Sequence, residues 1–463
     1  MWDLLVLTAG SERQRQNFEL ILGEVNTSPY CRKTMVIADY PPNVKIGSGG
    51  ATLNVLRIIE ESTCGKKVLL IHSGGLSQRT PQLSAFGKVF ATLPNGSTVL
   101  EMKLRSYKSL STALPAGLLV SASDVLEDTS MFRDCSADSD MILFATESTL
   151  KVASNHGVFV MRDGQLVSVL QKPSLDLIRS SGAVLPSGNV LTDCFYWMSW
   201  RVCKQLTSLW TSRGPCLVET CCYGDFMRPL GSQPALDYLE TGNAELSSWR
   251  KALFHVFSRI TPEIINLGSD AFFHLGTSQE ILEHCTIEST FSKKFLERFD
   301  YNVYCDNKEV ETGSGSLMEY CRVNGAQIGK GCIVSGCESK EPFKLQDYSL
   351  LFTLCIGNQR YTTVLLYVSD EVKARKPNLR WMGKETGLRD VSLWEAKLFP
   401  IERSRAESLK ATLKLLEGLE EEVGEKVSIA EAVARSDLRE MLDYRRGLKA
   451  SSTTRPPPSS SSP

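Results

Sequence analysis

Two glycine-rich stretches stand close together in the chain, each where an apolar run gives way to a helical pattern. The first is Lys45-Ile46-Gly47-Ser48-Gly49-Gly50-Ala51-Thr52. The second is His72-Ser73-Gly74-Gly75-Leu76-Ser77-Gln78-Arg79-Thr80-Pro81, followed by Gly87-Lys88. Glycine lets backbone N–H groups crowd against an anion, and a following helix N-terminus adds a favourable dipole. One such stretch is a weak signal. Two, one of them carrying Arg79 and then Lys88, imply a chain of phosphates. Backbone amides at Gly74, Gly75 and Ser77 would hold phosphate oxygens, while Arg79 and Lys88 offset charge at a reacting phosphorus. A turn with two surface cations is the plain alternative. Gly47, Gly49, Gly50 and Thr52 read either as a second phosphate nest or as a tight strand-to-helix turn. Neither stretch fits the P-loop pattern or a dinucleotide fingerprint.

Carboxylates follow at useful places. Asp124 ends the run Gly117–Ala122 after small residues, where it could hold Mg²⁺ against phosphates or merely cap a helix. Lys172, just before Pro173, offers a point charge to a monophosphate or is simply solvated. Asp193, Glu219 and Asp225 lie among aromatics and glycines, suiting sugar hydroxyls or a second metal ion; taken singly, each suits a cap or turn. Gly-x-Ser-x-Gly and His-Glu-x-x-His are absent, so hydrolase chemistry has no footing.

These residues need a scaffold. Apolar runs at Leu4–Ala9, Met35–Ala38, Val68–His72, Gly117–Ala122, Met141–Ala145, Gly157–Met161 and Val190–Met198 read as strands. Helical patterns fall at Ser11–Val25, Ala51–Glu61, Glu101–Leu110, Arg201–Thr211 and Glu245–Arg259. The alternation predicts an α/β domain with a mostly parallel sheet, its ligand beyond the strands' C-terminal ends. Beyond about residue 285 the texture changes. Ile328-Gly329-Lys330-Gly331-Cys332-Ile333-Val334 has imperfect six-residue spacing, the mark of a short left-handed β-helix or β-rich domain. Further β-rich runs follow at Tyr348–Ile356 and Tyr361–Ser369. Leucine stripes after Pro400 predict helices. The expected division is 1–284 catalytic, 285–399 β-helix-like, 400–449 helical and 450–463 disordered.

With 463 residues, 42% apolar and 23% charged, the chain is an ordinary globular protein of two or three domains. A net charge of −1 argues against a broad nucleic-acid or membrane-binding surface. No apolar window is long enough to span a bilayer, and Met1–Ala9 reads as a strand rather than a leader. The 14 cysteines are scattered among core-like residues without zinc spacing, so reduced thiols in a cytosolic enzyme are expected.

Lys45–Thr52 together with Leu70–Pro94 (LIHSGGLSQRTPQLSAFGKVFATLP) resembles the fucose-1-phosphate guanylyltransferase family of sugar-nucleotide pyrophosphorylases. The likeness continues through Leu118–Glu127, His156–Val160, Gln171–Ser174, Thr192-Asp193, Tyr223–Phe226, His274–Thr277 and Met318–Gly336. It implies a GT-A-like nucleotidyltransferase domain that joins GTP to β-L-fucose 1-phosphate, releasing pyrophosphate with Mg²⁺ as cofactor. By motif match Arg79, Lys88 and Asp124 would be catalytic, Asp124 and Asp225 metal-binding, and Lys172, Asp193, Glu219 and Asp225 on the sugar-phosphate side. His274 stands where related enzymes place a metal-binding Asp. Self-association through the β-helical part is also implied. The alternatives are a catalytically silent sugar-nucleotide-binding regulator, a pyrophosphorylase for another sugar phosphate, and a sugar kinase.

Overall fold

The computed structural model describes residues 1–286, 288–418 and 424–453. It divides into two compact units: Met1–Gly75 with Leu100–Phe273, and Leu76–Val99 with His274 onwards. The expected boundary at 284 lies inside the second unit, which also takes the Leu76–Val99 segment.

The first unit is a mixed α/β fold around a parallel-rich sheet. Its strands are β1 (Leu4–Ala9), β2 (Thr34–Ala38), β3 (Lys67–His72), β4 (Gly117–Ala122), β5 (Val125–Glu127), β6 (Met141–Ser148), β7 (Gly157–Arg162), β8 (Gln165–Gln171), β9 (Val190–Ser199), β10 (Glu263–Ser269) and β11 (Phe272–His274). The helices are α1 (Glu12–Leu22), α2 (Gly47–Thr63), α3 (Val99–Ser106), α4 (Lys108–Ala113), α5 (Leu150–Ala153), α6 (Leu175–Ser180), α7 (Trp200–Arg213) and α8 (Ala244–Phe257). The sheet order is β10-β6-β9-β4-β3-β1-β2, with the β7–β8 hairpin beside β9. β1 runs parallel to β2 and β3, β3 to β4, and β6 to β10; β9 is antiparallel to both its neighbours.

The central strands form because their apolar residues alternate between two covered faces. Every residue of β1 is buried, and Val68–Ile71 are 0% exposed, as expected of a parallel strand sandwiched between helices. One face packs Leu4, Val6, Leu70, Leu118 and Val120 against Leu53 and Leu56 of α2 and Leu206 and Trp210 of α7. The chain leaves β1 towards β2 on one side and β3 towards β4 on the other. The gap between β1 and β3 is therefore the sheet's topological switch point, where such folds open a ligand crevice.

In the second unit the short strands β12 (Asn302–Val303), β13 (Glu311–Thr312), β14 (Leu317–Glu319), β15 (Arg322–Val323), β16 (Ala326–Ile328), β17 (Ile333–Ser335), β18 (Glu338–Ser339), β19 (Phe343–Leu345) and β20 (Ser349–Cys355) form three ladders. Within each, successive strands are parallel: Leu317 lies beside Ile333, and Ile333 beside Leu350. β21 (Tyr361–Tyr367) then pairs antiparallel with β20. The helices α9 (Ser278–His284), α10 (Thr290–Phe295), α11 (Arg405–Glu417), α12 (Ile429–Ala434) and α13 (Leu438–Thr453) complete the unit. α13 carries the chain through Thr453, so the expected disorder from 450 does not begin there; residues 454–463 lie outside the described part. Among the described residues no helix is long and apolar enough to cross a membrane. All 14 cysteines are free thiols.

Candidate functional site

The turns after β1 and β3 meet at the switch point. Thr8 Oγ1, buried in β1, accepts the N–H groups of Ser73 at 3.0 Å and Gly74 at 3.3 Å. A Cβ on Gly74 would stand 2.8 Å from the Gly10 nitrogen, so glycine is required for this close approach. Gly75 has φ +125°, open to glycine alone, and nothing lies within 4 Å of where its Cβ would be. Ser11 caps α1 by accepting the Gln14 N–H. The Gln14 amide reaches across to the Gly75 peptide. Gly10, Ser11 and Gln14 were not among the candidate site residues, although the strand ending at Ala9 and the helix beginning at Ser11 were both read.

The first glycine stretch opens a helix and packs closely on a distant segment. Gly47–Gly50 are the opening turn of α2 itself, and the partner they accommodate is the chain near Thr220. A Cβ on Gly47 would meet the Thr220 carbonyl oxygen at 2.2 Å, and one on Gly49 would meet Thr220 Oγ1 at 2.8 Å. Gly49 donates its N–H to that carbonyl at 2.9 Å, and Ser48 Oγ accepts the Cys222 N–H at 3.0 Å. Thr52 is 0% exposed; its hydroxyl donates to the Ser48 carbonyl. The one hydroxyl hydrogen being spent, His72 Nε2 donates to Thr52 Oγ1 at 3.0 Å, and burial pushes the His72 pKa down to about 4, keeping it neutral. Gly47, Gly49, Gly50 and Thr52 thus have an internal packing role, the tight-turn reading of the two that the sequence offered.

Asp124 is half-buried in the two-residue turn between β4 and β5. Both flanks of that turn are tied to one cation. Lys103 Nζ, 0% exposed, donates to Glu127 Oε2 at 2.7 Å, Ser121 Oγ at 2.8 Å and Tyr107 OH at 3.1 Å. Its pKa is lowered by burial and held up by the Glu127 charge, with Asp124 adding to that support. This network was not visible in sequence, because its members come from three separate segments.

A third group gathers at the β7–β8 hairpin. Gly157 donates its N–H to Asp193 Oδ1 at 2.8 Å, and a Cβ there would stand 2.6 Å from Oδ2. Burial pushes the Asp193 carboxyl up to about 7, against the opposing pull of that hydrogen bond and the Lys172 charge. Lys172, in left-handed conformation at φ +48°, donates its N–H to the His156 carbonyl and exposes its side chain. Asp193 and Lys172 are therefore brought together. Glu219 is not with them: exposed, it pairs with Lys45 at 2.7 Å. Asp225 is also elsewhere. Its buried carboxylate accepts from Arg250 Nε at 2.8 Å, the Cys221 N–H at 2.8 Å and Arg228 Nη2 at 3.2 Å. Two guanidinium groups already neutralise it, so it does not suit a metal ion or a sugar.

In the second unit, the Ser77 carbonyl accepts from the Thr80 N–H and hydroxyl, closing a tight turn at φ +50°. The Ser278 N–H donates to the Arg79 carbonyl at 3.2 Å, leaving the guanidinium exposed. Lys88 Nζ donates to the Gly276 carbonyl at 3.0 Å. His274 Nδ1 lies 2.9 Å from Glu280 Oε1, the same carboxylate that closes the capping box of α9. A Cβ on Gly276 would strike the His274 ring at 2.2 Å. The imidazole where relatives were expected to carry a metal-binding Asp is thus a helix-cap partner. Among the described residues no three His, Cys, Asp or Glu side chains form a metal cage.

A parallel-rich α/β sheet with glycine turns at its switch point is consistent with a nucleotidyltransferase-like fold. The fucose pyrophosphorylase domain matches residues 61–404, and the chain belongs to that family. It is 28% identical to the fucose-1-phosphate guanylyltransferase of Mus musculus, over 96% of this chain and 92% of the mouse protein. Against the Homo sapiens fucose-1-phosphate guanylyltransferase it is 27% identical, over 96% and 90%. The bifunctional fucokinase/GDP-fucose pyrophosphorylase of Arabidopsis thaliana matches at 26% identity, over 61% of this chain and 32% of the plant protein.

Proposed function

We propose that the chain transfers guanylyl from GTP to β-L-fucose 1-phosphate, forming GDP-L-fucose and pyrophosphate. The observation that carries this reading is the family match across residues 61–404, with two fucose-1-phosphate guanylyltransferases aligned over nearly the whole chain. A phosphate oxygen of the sugar phosphate attacks the α-phosphorus in line; the P–O bond to the β-phosphate breaks and pyrophosphate leaves. The protein's task is positioning and charge neutralisation. Gly74, Gly75 and Ser77 line the triphosphate, the Gly74 N–H resting on Thr8 Oγ1 and the Gly75 N–H on Gln14 Oε1. Arg79 and Lys88, on their motif, meet its charge. Lys172 holds the sugar phosphate, and Asp193, on the neighbouring strand β9, faces the sugar. Asp124 would hold Mg²⁺, which when bound supplies charge neutralisation at the phosphates.

We propose also that the three parallel ladders are the three faces of a short left-handed β-helix following a GT-A-like domain. The Leu317–Ile333–Leu350 succession supports this, and self-association through that unit is part of the reading. Free thiols throughout suit the reducing cytoplasm. The test is a panel of nucleoside triphosphates and sugar 1-phosphates read by pyrophosphate release. GTP with fucose 1-phosphate is expected to lead, and chelation of divalent metal to stop it. Release with another pair but not this one overturns the substrate assignment; production of GDP without pyrophosphate overturns the reaction class.

A further inference from the structure

Gly75 is a hinge without side-chain packing. It has φ +125°, sits exposed at the end of the β3 turn, and has nothing within 4 Å of its Cβ position. A residue so placed has many conformations open to it, and a loop meant to sit beside phosphates must be denied most of them. One side chain does this. Gln14 Nε2 donates to the Gly75 carbonyl at 2.8 Å, and Gln14 Oε1 accepts the Gly75 N–H at 3.3 Å. The same Oε1 accepts the Gly10 N–H at 2.7 Å. A single side-chain amide therefore ties down both the N–H and the carbonyl of Gly75 and joins them to the turn after β1. Gln14 is itself fixed, because its own N–H is spent on the Ser11 cap. The joined turns flank the switch point between β1 and β3.

From this geometry we infer that Gln14 is a positioning residue of the triphosphate site, holding the Gly75 turn in one conformation beside the phosphates. The inference rests on the reading above that a nucleoside triphosphate occupies the tips of β1 and β3, and it adds α1 to that site. It also fixes a chemical requirement. The side chain must both donate and accept, and it must be uncharged, because a negative group beside Gly75 would repel phosphate.

The Gln14→Ala and Gln14→Glu variants separate this role from a merely structural one. Glutamate retains the acceptor for the Gly10 and Gly75 N–H groups but sets a carboxylate oxygen against the Gly75 carbonyl, so its cost to the fold is read separately by thermal unfolding. If Gln14 serves the fold alone, the Glu–Ala difference in binding does not change with salt. If it faces phosphates, Glu is the worse of the two. Binding of GTP with Mg²⁺ is measured by calorimetry on the full chain, alongside thermal unfolding of each variant and KM for both substrates. The expected order is wild type tightest, Ala about tenfold weaker and Glu several-fold weaker again, with the Glu–Ala gap narrowing at high salt. KM for the sugar phosphate is expected to stay within about twofold. Glu binding as tightly as Ala, or more tightly, overturns the inference and leaves the proposed reaction standing. Should wild type bind another triphosphate in preference to GTP, the guanylyl assignment falls and the same ranking, read with that nucleotide, still decides Gln14.

Discussion

Replacing Glu127 with Gln is the sharpest probe of what holds the Asp124 turn. The change preserves shape and an acceptor oxygen but strips the counter-ion from Lys103, whose ammonium and its partner are both 0% exposed. Breaking a buried pair by removing one charge costs about 3–5 kcal/mol, because the other charge is left uncompensated. For a domain of this size each kcal/mol moves the unfolding midpoint by about 2–4 °C, so the loss should be roughly 6–20 °C at neutral pH. The pH dependence has a definite sign. Burial already lowers the Lys103 pKa, and the Glu127 charge opposes that lowering. Without Glu127 the folded-state value falls further below that of the unfolded chain. A depressed amine destabilises the fold at low pH, and that deficit shrinks as pH rises through its folded value. Calorimetric unfolding of Glu127→Gln and wild type from pH 6.5 to 9.5 reads both effects. The double variant Lys103→Met with Glu127→Leu should recover most of the loss, as apolar replacement of buried pairs does. A midpoint within about 2 °C of wild type, with no pH trend in the difference, would refute the claim that this pair is a matched buried charge network.

Other expectations can be checked alongside. Arg79→Ala should lower pyrophosphate release by about 100-fold or more, the scale of losing one charge-stabilising donor; near-normal turnover removes Arg79 from the site. Gly49→Ala should cost about 1–3 kcal/mol in chemical denaturation, since its Cβ would press on Thr220. Gly447→Ala, with open space around it, is the matched control and should be neutral or slightly stabilising. Asp193 holds a proton up to about pH 7 in the folded chain, against roughly 3.9 for an ordinary Asp. Its stabilisation is present at low pH and is lost as pH rises towards 7. The stability of wild type relative to Asp193→Asn should therefore decline between about pH 4 and pH 7, and a flat difference contradicts the shift.

Much of the sheet could be read in advance, for a simple reason. β1 and β4 have the expected bounds because unbroken apolar runs between turn residues are what doubly covered strands require. β8 was missed although Asp163-Gly164, both in left-handed conformation, spell the hairpin turn before it. β10 escaped because an edge strand with a half-exposed pattern gives little periodic signal. The site was less legible than the fold. Glycines at 47–50 promise a nest in sequence, and only the tertiary approach of Thr220 shows why they are small. Asp225 looks like a ligand until Arg228 and Arg250 are found on it. Gln14 and Lys103 carry no motif at all; their meaning lies in partners from distant segments.

The interleaving of the two units has a consequence for anyone shortening this gene. Leu76–Val99 is encoded early, yet it belongs with residues from His274 onward, where the Gly276 carbonyl receives the Lys88 ammonium and the Ser278 N–H meets the Arg79 carbonyl. A stop codon after Phe273 would delete no residue of the early loop while removing the surface on which it is moulded. Such a product would retain every letter of the signature and lose the shape that gives it meaning.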